Sequence, residues 1–413
     1  MPKPTSPVFR RPGGAPNTTI VGASAAGLFL ASRLAERGNA VTVHDRATRL
    51  PPQPRTLIVT SSVKEILGSQ LNGSLVNEIR RYELYADGVS ANVELSQPDL
   101  VVERSTLIDS LARQAQALGA EIRLGERLVG MDPDDRGLTT TFEGSNGGKT
   151  RTSSAIVVGA DGVNSTVARR GGWSQLPTVP VVQAVVRLPD DLAPDTTRVW
   201  FRPQDTPYFY WLIPESETTA VLGLIGDDAC TARRHLDGFL DEKALPALSY
   251  QAARIPVYER WTPLRRRVAN GEVFLVGDAA GHVKVTTVGG LQTGFRGAAA
   301  VGEYIDTGSR RQMRALRREL SRHQLIRRAI HGFDEDSYRS VIRLLGPRAQ
   351  STLGTYSRDE SNKLLWRLCM REPRFFLLGL RGLLTGSRTR QSSDTALTPT
   401  DTAHQETQAS PVS

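Results

Sequence analysis

Six consecutive residues near the start of the chain, Gly22-Ala23-Ser24-Ala25-Ala26-Gly27, have the types and spacing of a loop that admits a pyrophosphate. Gly22 suits a tight turn, the small Ser24 lets the backbone approach the phosphates, and Gly27 lets a helix lie close to a strand. With Ala26 in its first turn, such a helix points free N–H groups at the negative charge. Asp45 follows Gly22 by 23 residues, where a carboxylate can accept the ribose hydroxyls of an adenosine, and Arg46 adjoins it. Two later segments place carboxylates in turns after apolar runs. Asp161-Gly162 follows Ile156-Val157-Val158-Gly159-Ala160, and Asp278 follows Val273-Phe274-Leu275-Val276-Gly277.

The elements that must position these residues surround them in the sequence. Residues 18–21 read as a short buried strand, 25–37 as a helix of good helix formers ended by Gly38, and 40–43 as a second strand. Strand, turn, helix and strand in about thirty residues imply a parallel βαβ unit. Ser105 is expected to cap a helix carrying Leu107, Leu111 and Leu118, ended by Gly119 and followed by a strand at 120–124. Residues 82–85 and 89–95 alternate like antiparallel strands of a different sheet, as do 181–188, 197–201, 208–213 and 219–225. A buried strand at 273–276 and a helix at 294–304 complete the pattern. The fold class is therefore α/β: an interrupted Rossmann-like dinucleotide-binding domain (17–76, 100–175 and 264–308), an inserted, mostly antiparallel β domain for the substrate (77–99 and 176–263), and a helical C-terminus (309–385). The Pro- and Gly-rich arm 1–16 and the polar tail 386–413 are expected to be unstructured.

Taken together, the fingerprint, the Asp161-Gly162 segment and the Gly277-Asp278 segment resemble, in this order, the motifs of FAD-dependent aromatic hydroxylases, geranylgeranyl reductases and flavin-dependent halogenases. The resemblance covers roughly residues 18–385. It implies FAD as cofactor, with Asp278 on the ribityl chain and Asp161 and Gly162 near the pyrophosphate. Arg104, in Val-Glu-Arg-Ser-Thr-Leu, matches an arginine that packs along the flavin. Arg55, in Pro-Arg-Thr-Leu-Ile-Val-Thr, sits where the family often has another; a surface salt bridge is the plainer reading of either. The run His282-Val283-Lys284-Val285-Thr286-Thr287-Val288-Gly289-Gly290-Leu291 is similar to the reductase pattern Val-Lys-Pro-Thr-Thr followed by glycines, with Val285 for the proline and Val288 for the first glycine. It implies backbone N–H groups of Gly289 and Gly290 at the flavin pyrimidine edge, with Leu291 beside them, and a following helix whose positive end faces the charge of the reduced ring.

Phe209-Tyr210-Trp211-Leu212-Ile213-Pro214 resembles both the reductase Tyr-x-Trp-x-Phe-Pro and the halogenase Trp-x-Trp-x-Ile-Pro motifs. Alternation puts Phe209, Trp211 and Ile213 on one strand face, either an apolar wall for substrate or an ordinary hydrophobic sheet face. Thr287 joins Phe209 and Trp211 as an expected substrate contact. The proline pair of the aromatic hydroxylases is replaced by Lys284 and Val285, and the stretch 46–60 lacks the Cys that some archaeal reductases carry there. Lys64, in a helical-looking run, is the only lysine placed for halogenase chemistry. His282 is a proton donor or, more simply, a packed histidine.

The function this implies is an FAD-dependent oxidoreductase that reduces a carbon–carbon double bond in a hydrophobic, isoprenoid- or polyketide-like molecule. The alternatives are a flavin-dependent monooxygenase that hydroxylates or epoxidises, a halogenase, and a non-enzymatic, basic nucleic-acid- or lipid-binding protein on a relic flavin fold. Only one fingerprint is present, so NAD(P)H is expected to act transiently, or a partner reductase or ferredoxin to deliver electrons.

Composition narrows the classes further. The 413 residues are 39% hydrophobic and 23% charged, which is globular. No run of about 18 apolar residues exists to form a transmembrane helix, and the first twenty residues lack a signal-peptide core. Cys230 and Cys369 are too few and too far apart for a disulfide framework or a metal site, so a reducing cytoplasmic setting is expected. Net charge is +9, and residues 310–345 alone hold ten Arg against four acidic residues. No zinc-finger, RNA-binding or basic-zipper pattern accompanies the charge, so nucleic acid is not an expected partner. The Arg-rich helix reads as a solvated face or an anion site. The apolar stretch 375–384 is core packing, a lid over a lipophilic substrate, or a peripheral membrane contact.

Overall fold

The computed structural model describes residues 17–51, 55–135 and 137–383. The two arms expected to be unstructured, 1–16 and 386–413, lie outside the described residues.

Thr18–Val21 is buried throughout and forms the centre of a six-stranded sheet. Val41–Asp45 and Glu121–Leu124 lie parallel on one side of it, and Ile156–Gly159 and Gly271–Leu275 parallel on the other, with Arg265–Val268 antiparallel at the edge. Strands buried on both faces need apolar residues at every position, which is why Ile156-Val157-Val158 and Val273-Phe274-Leu275 run without alternation. Ala25–Glu36, Arg104–Ala117 and Leu291–Thr307 pack with this sheet in one large core built on Leu28, Leu30, Leu34, Leu107, Leu111 and Phe295.

A second sheet of eight strands lies between these segments in sequence. Its order is Ser249–Pro256, Thr178–Arg187, Thr219–Ile225, Tyr210–Pro214, Thr196–Trp200, Leu75–Ala86, Val89–Glu103 and Thr56–Val59. All neighbours are antiparallel except Thr196–Trp200 with Leu75–Ala86. Thr56–Val59, which the sequence places with the nucleotide-binding segments, hydrogen-bonds as the edge strand of this sheet through Leu100–Glu103. Ala229–Glu242 covers one face, burying Tyr210, Leu212, Leu222 and Leu224 beneath Leu236, Phe239 and Leu240. A three-stranded meander, Glu126–Asp134, Gly137–Gly144 and Lys149–Ser154, joins the large core through Leu128, Met131, Leu138 and Phe142. The helices Arg311–His331, Glu335–Leu344, Pro347–Thr355 and Ser361–Arg371, and a last helix at 374–383, complete the described chain.

Two local expectations change. The second helix starts at Arg104 and is capped by Glu103, not Ser105, because one carboxylate reaches the backbone N–H of both Ser105 (2.9 Å) and Thr106 (2.8 Å) while also accepting the Thr106 hydroxyl. Burial opposes ionisation of Glu103, yet these hydrogen bonds outweigh it and hold the carboxyl down to about 2. A carboxyl depressed on folding contributes stability that is complete above the unfolded value and disappears as pH falls through the folded one. Glu103→Gln is therefore expected to cost about 1 kcal/mol at neutral pH, with the gap to the parent narrowing as pH falls from 4.5 toward 2. Urea unfolding across that window checks it. The other change is the helix after Gly290, which begins at Leu291 rather than 294 and runs to Thr307.

Candidate functional site

Gly22 sits at φ +107°, and a Cβ there would lie 2.4 Å from the Ala160 carbonyl oxygen. A Cβ on Gly27 would meet the Gly22 oxygen at 2.4 Å and Ala160 Cβ at 2.9 Å. Both glycines are thus demanded by close passage of backbone, the tight turn and the helix–strand approach that the spacing implies. Ser24 caps the helix, its Oγ accepting from Gly27 N–H at 3.3 Å. Ala26 faces the second turn: a Cβ on Gly277 would lie 3.1 Å from Ala26 Cβ. The fingerprint and the Gly277-Asp278 turn, some 250 residues apart in the sequence, therefore touch.

Asp45 closes the second strand, and its carboxylate accepts from Ala23 N–H at 2.7 Å and Ala47 N–H at 2.8 Å. It braces the fingerprint loop and keeps a lone pair on each oxygen for a further donor. Arg46 is exposed beside it. Asp161 is bound on its own side, accepting from the Ser165 hydroxyl at 2.5 Å and from Thr166 N–H at 2.6 Å, so it braces the short helix Thr166–Arg170. Gly162, at φ +79°, makes the turn between them with open space where a Cβ would be.

Asp278, Arg55 and Arg104 form one charged group. Burial pushes the Asp278 carboxyl up and the two guanidiniums pull it back, while burial pushes both arginines down. Arg104 N–H donates to the Arg55 carbonyl at 2.9 Å, which fixes the pair together. Gly290 adjoins the group: a Cβ there would lie 3.2 Å from Asp278 Oδ1. Gly290 is also the N-cap of the helix Leu291–Thr307, and no side chain caps that end. Both arginines are half-buried, their charges act on Asp278 through space, and neither forms a surface salt bridge among the described residues.

This arrangement fits FAD. Arg55 Nε is buried without a hydrogen-bond partner, and the helix end at Leu291 offers N–H groups without a side-chain acceptor. A diphosphate, a polyhydroxy chain and an electron-rich ring edge are the acceptors that such donors lack. Gly22, Ser24, Ala26 and Gly27 would hold the pyrophosphate, Asp45 the adenosine ribose, and Asp278 with Arg55 and Arg104 the ribityl side.

The turn 284–290 is closed by Lys284 N–H donating to the Gly289 carbonyl at 3.1 Å, and Thr287 is half-buried on it. Val288, where the resemblance expects glycine, sits at φ +52°. A β-branched residue in the left-handed region is strained. Val288→Gly is expected to raise stability by about 1 kcal/mol, read as a higher urea midpoint with an unchanged slope. His282 is fully buried, and Gly277 N–H donates to its Nδ1 at 3.2 Å. Burial pushes its pKa down to about 3, so it is the packed, neutral histidine of the simpler reading.

Trp211 and Ile213 share the half-buried sheet face opposite the Tyr210–Leu212 core, and Phe209 lies just before the strand. The Trp211 ring lies over Gly223, where a Cβ would come within 2.6 Å of it. Phe209 meets Trp211 edge-on at 6.1 Å, and Phe201 links Phe209 to Tyr338 of the C-terminal helices. Register extends this face: Trp211 pairs with Val199, and Val199 with Leu84, two residues from Tyr82. Lys64 is elsewhere, exposed on a short helix and paired with Glu78 at 3.3 Å.

Sequence reasoning missed a buried polar cluster. Lys284 is ion-paired with Asp359, their side chains 7% and 4% exposed. Asp359 also accepts from Thr60 and from Ser62 (2.9 Å), and Gln292 bonds to both hydroxyl groups. The neighbouring Arg358 pairs with Asp99 at 2.6 Å, which accepts the Tyr82 hydroxyl at 2.6 Å. Thr286 bonds His323 at 2.7 Å. The cluster ties three parts together: the turn 284–290, the aromatic sheet face through Tyr82, and the C-terminal helices. Its one visible trace in the sequence is Lys284 itself, a lysine inside the apolar run Val283-Lys284-Val285 of a chain with six lysines.

Comparison with known proteins points to the same cofactor. A family model described as "FAD binding domain" matches residues 16–310. Digeranylgeranylglycerophospholipid reductase 2 of Methanothermobacter thermautotrophicus is 27% identical over 283 residues, 62% of this chain and 71% of that protein. A geranylgeranyl bacteriochlorophyll reductase-like protein of Thermoplasma acidophilum superposes with a TM-score of 0.72 at 15% identity, covering 87% of this chain and 97% of that one. The flavin-dependent halogenase CmlS superposes at 0.60 and 17% identity, covering 88% of this chain and 71% of that one. The chain belongs to the FAD-binding domain family and is an FAD-dependent oxidoreductase.

Proposed function

We propose that this enzyme saturates a carbon–carbon double bond in a hydrophobic, isoprenoid-like substrate. The observation that carries the reading is the apolar, aromatic sheet face of Leu84, Val199, Phe209 and Trp211, joined through Tyr82, Asp99, Arg358 and Asp359 to the turn 284–290. The likeness to digeranylgeranylglycerophospholipid reductase supports the substrate class.

Bound FAD, once reduced to FADH2, would supply a hydride to one carbon of the double bond, and a proton from FADH2 or solvent would complete the other. The protein's part is placement. Arg55, Arg104 and Asp278 orient the cofactor along one edge, and the uncapped helix end at Leu291 favours negative charge where it points. Trp211 and Phe209, edge to face, offer an apolar corner to an isoprenoid chain and exclude water from it. Buried and neutral, His282 holds the Gly277 N–H through Nδ1 and thereby fixes the turn that carries Asp278. Electrons would come from transient NAD(P)H or a partner reductase, consistent with a single dinucleotide fingerprint.

Stopped-flow absorbance under argon tests this. Dithionite-reduced enzyme mixed with a geranylgeranyl lipid is expected to regain oxidised-flavin absorbance, and the fully saturated phytanyl analogue to leave it reduced. Flavin that stays reduced with both lipids would overturn the proposal.

A further inference from the structure

Residues 309–383 hold 17 Lys and Arg against seven Asp and Glu, a net +10, whereas the rest of the chain sums to −1. On this cationic region two consecutive helices, Ser361–Arg371 and 374–383, turn large apolar side chains outward. Trp366 is 69% exposed, Met370 65%, and Phe376 and Leu377 each 62%. The inward faces of the same helices are already in use. Leu368 and Phe375 pack with Tyr338 and Ile342, and Gly382 lies so close to Ala329 that a Cβ would fall 2.0 Å from its carbonyl oxygen. The outward residues are therefore a second apolar face and not a displaced part of the core. Arg367, Arg371 and Arg374 are exposed among them.

We propose that this face docks on an anionic lipid surface. Trp, Phe, Leu and Met suit the boundary between headgroups and acyl chains, while arginine stems lie along apolar surface and carry their guanidiniums to the phosphates. A negatively charged leaflet attracts a region of this charge, and the attraction falls off within a Debye length. A second copy of the chain fits the face less well, since it would bring two +10 regions together. Two helices of about ten residues, each roughly 15 Å long, lie on a bilayer and do not cross it. Among the described residues, no helix is long and apolar enough to span a membrane. The inference goes beyond the proposed reaction and its test needs no substrate.

Flotation of the full chain, FAD bound, with extruded vesicles is the experiment. Vesicles containing phosphatidylglycerol are expected to carry the protein, and pure phosphatidylcholine vesicles to leave it behind. Binding should fall by about tenfold or more on raising salt from about 0.1 M to 1 M, as the Debye length shrinks from about 10 to 3 Å. Trp366→Ser with Phe376→Ser should lower the partition coefficient by about a hundredfold or more, since two large apolar side chains are withdrawn from the interface. The variant's flavin absorbance and melting temperature should match the parent's, which separates lost docking from lost fold. Absence of flotation on anionic vesicles, or equal flotation of parent and variant, would overturn the proposal. So would a lipid-free, concentration-dependent rise in mass that the double variant abolishes, for the face would then be a contact between copies.

Discussion

Asp359→Asn is expected to cost about 3–5 kcal/mol of stability, the usual penalty for leaving one member of a buried ion pair without its partner. Burial already pushes the Lys284 ammonium below its ordinary value. Without Asp359 it is left either unpaired or stripped of its proton in a site only 7% exposed, and Thr60 and Ser62 lose their charged acceptor. Burial opposes ionisation of Asp359, but Lys284 and the two hydroxyls hold its carboxyl well below the ordinary range. That stabilisation is therefore present at neutral pH and is lost only in strong acid. Urea unfolding at pH 7 measures the loss. The double change Lys284→Met with Asp359→Leu should recover most of it, because replacing a whole buried pair by apolar groups is often neutral. A loss below about 1 kcal/mol for the single change would mean the pair is solvated.

Gly22→Ala is the second large effect, about 3 kcal/mol or more. The residue must hold φ +107° while a new Cβ overlaps the Ala160 carbonyl at 2.4 Å, so left-handed strain and overpacking add. Gly38→Ala is the control. It shares a positive φ of +78° but has open space at the Cβ position, and about 1 kcal/mol is expected. Thermal unfolding ranks the two. FAD retained through gel filtration should fall for Gly22→Ala alone, since only that turn belongs to the nucleotide loop.

These two sites also show what the sequence makes plain and what it hides. Gly22, Gly27 and Asp45 lie within one βαβ unit, so spacing along the chain is spacing in space, and the parallel sheet follows from the same thirty residues. The aromatic face is plain for a similar reason: period-two alternation puts Trp211 and Ile213 together whatever the topology. Lys284 and Asp359 are 75 residues apart and meet only because the C-terminal helices fold back onto the turn, so no local pattern announces the pair. The meander 126–154 is hidden by composition. Pro133, several charges and a register shift between Leu128 and Gly130 obscure the alternation that buries Leu128, Met131 and Phe142. Glu103 differs again, being local but outside the usual preference for a hydroxyl cap; its longer carboxylate reaches donors on both Ser105 and Thr106.

The most direct test of the central claim is the product formed with and without oxygen. Pre-reduced enzyme and a geranylgeranyl lipid are incubated under argon and, in parallel, under oxygen-18 gas, and the lipid is analysed by mass spectrometry. Double-bond reduction predicts a gain of two hydrogen atoms under argon and no labelled oxygen in either sample. Product that forms only under oxygen and carries the label would contradict reduction and make the enzyme a monooxygenase.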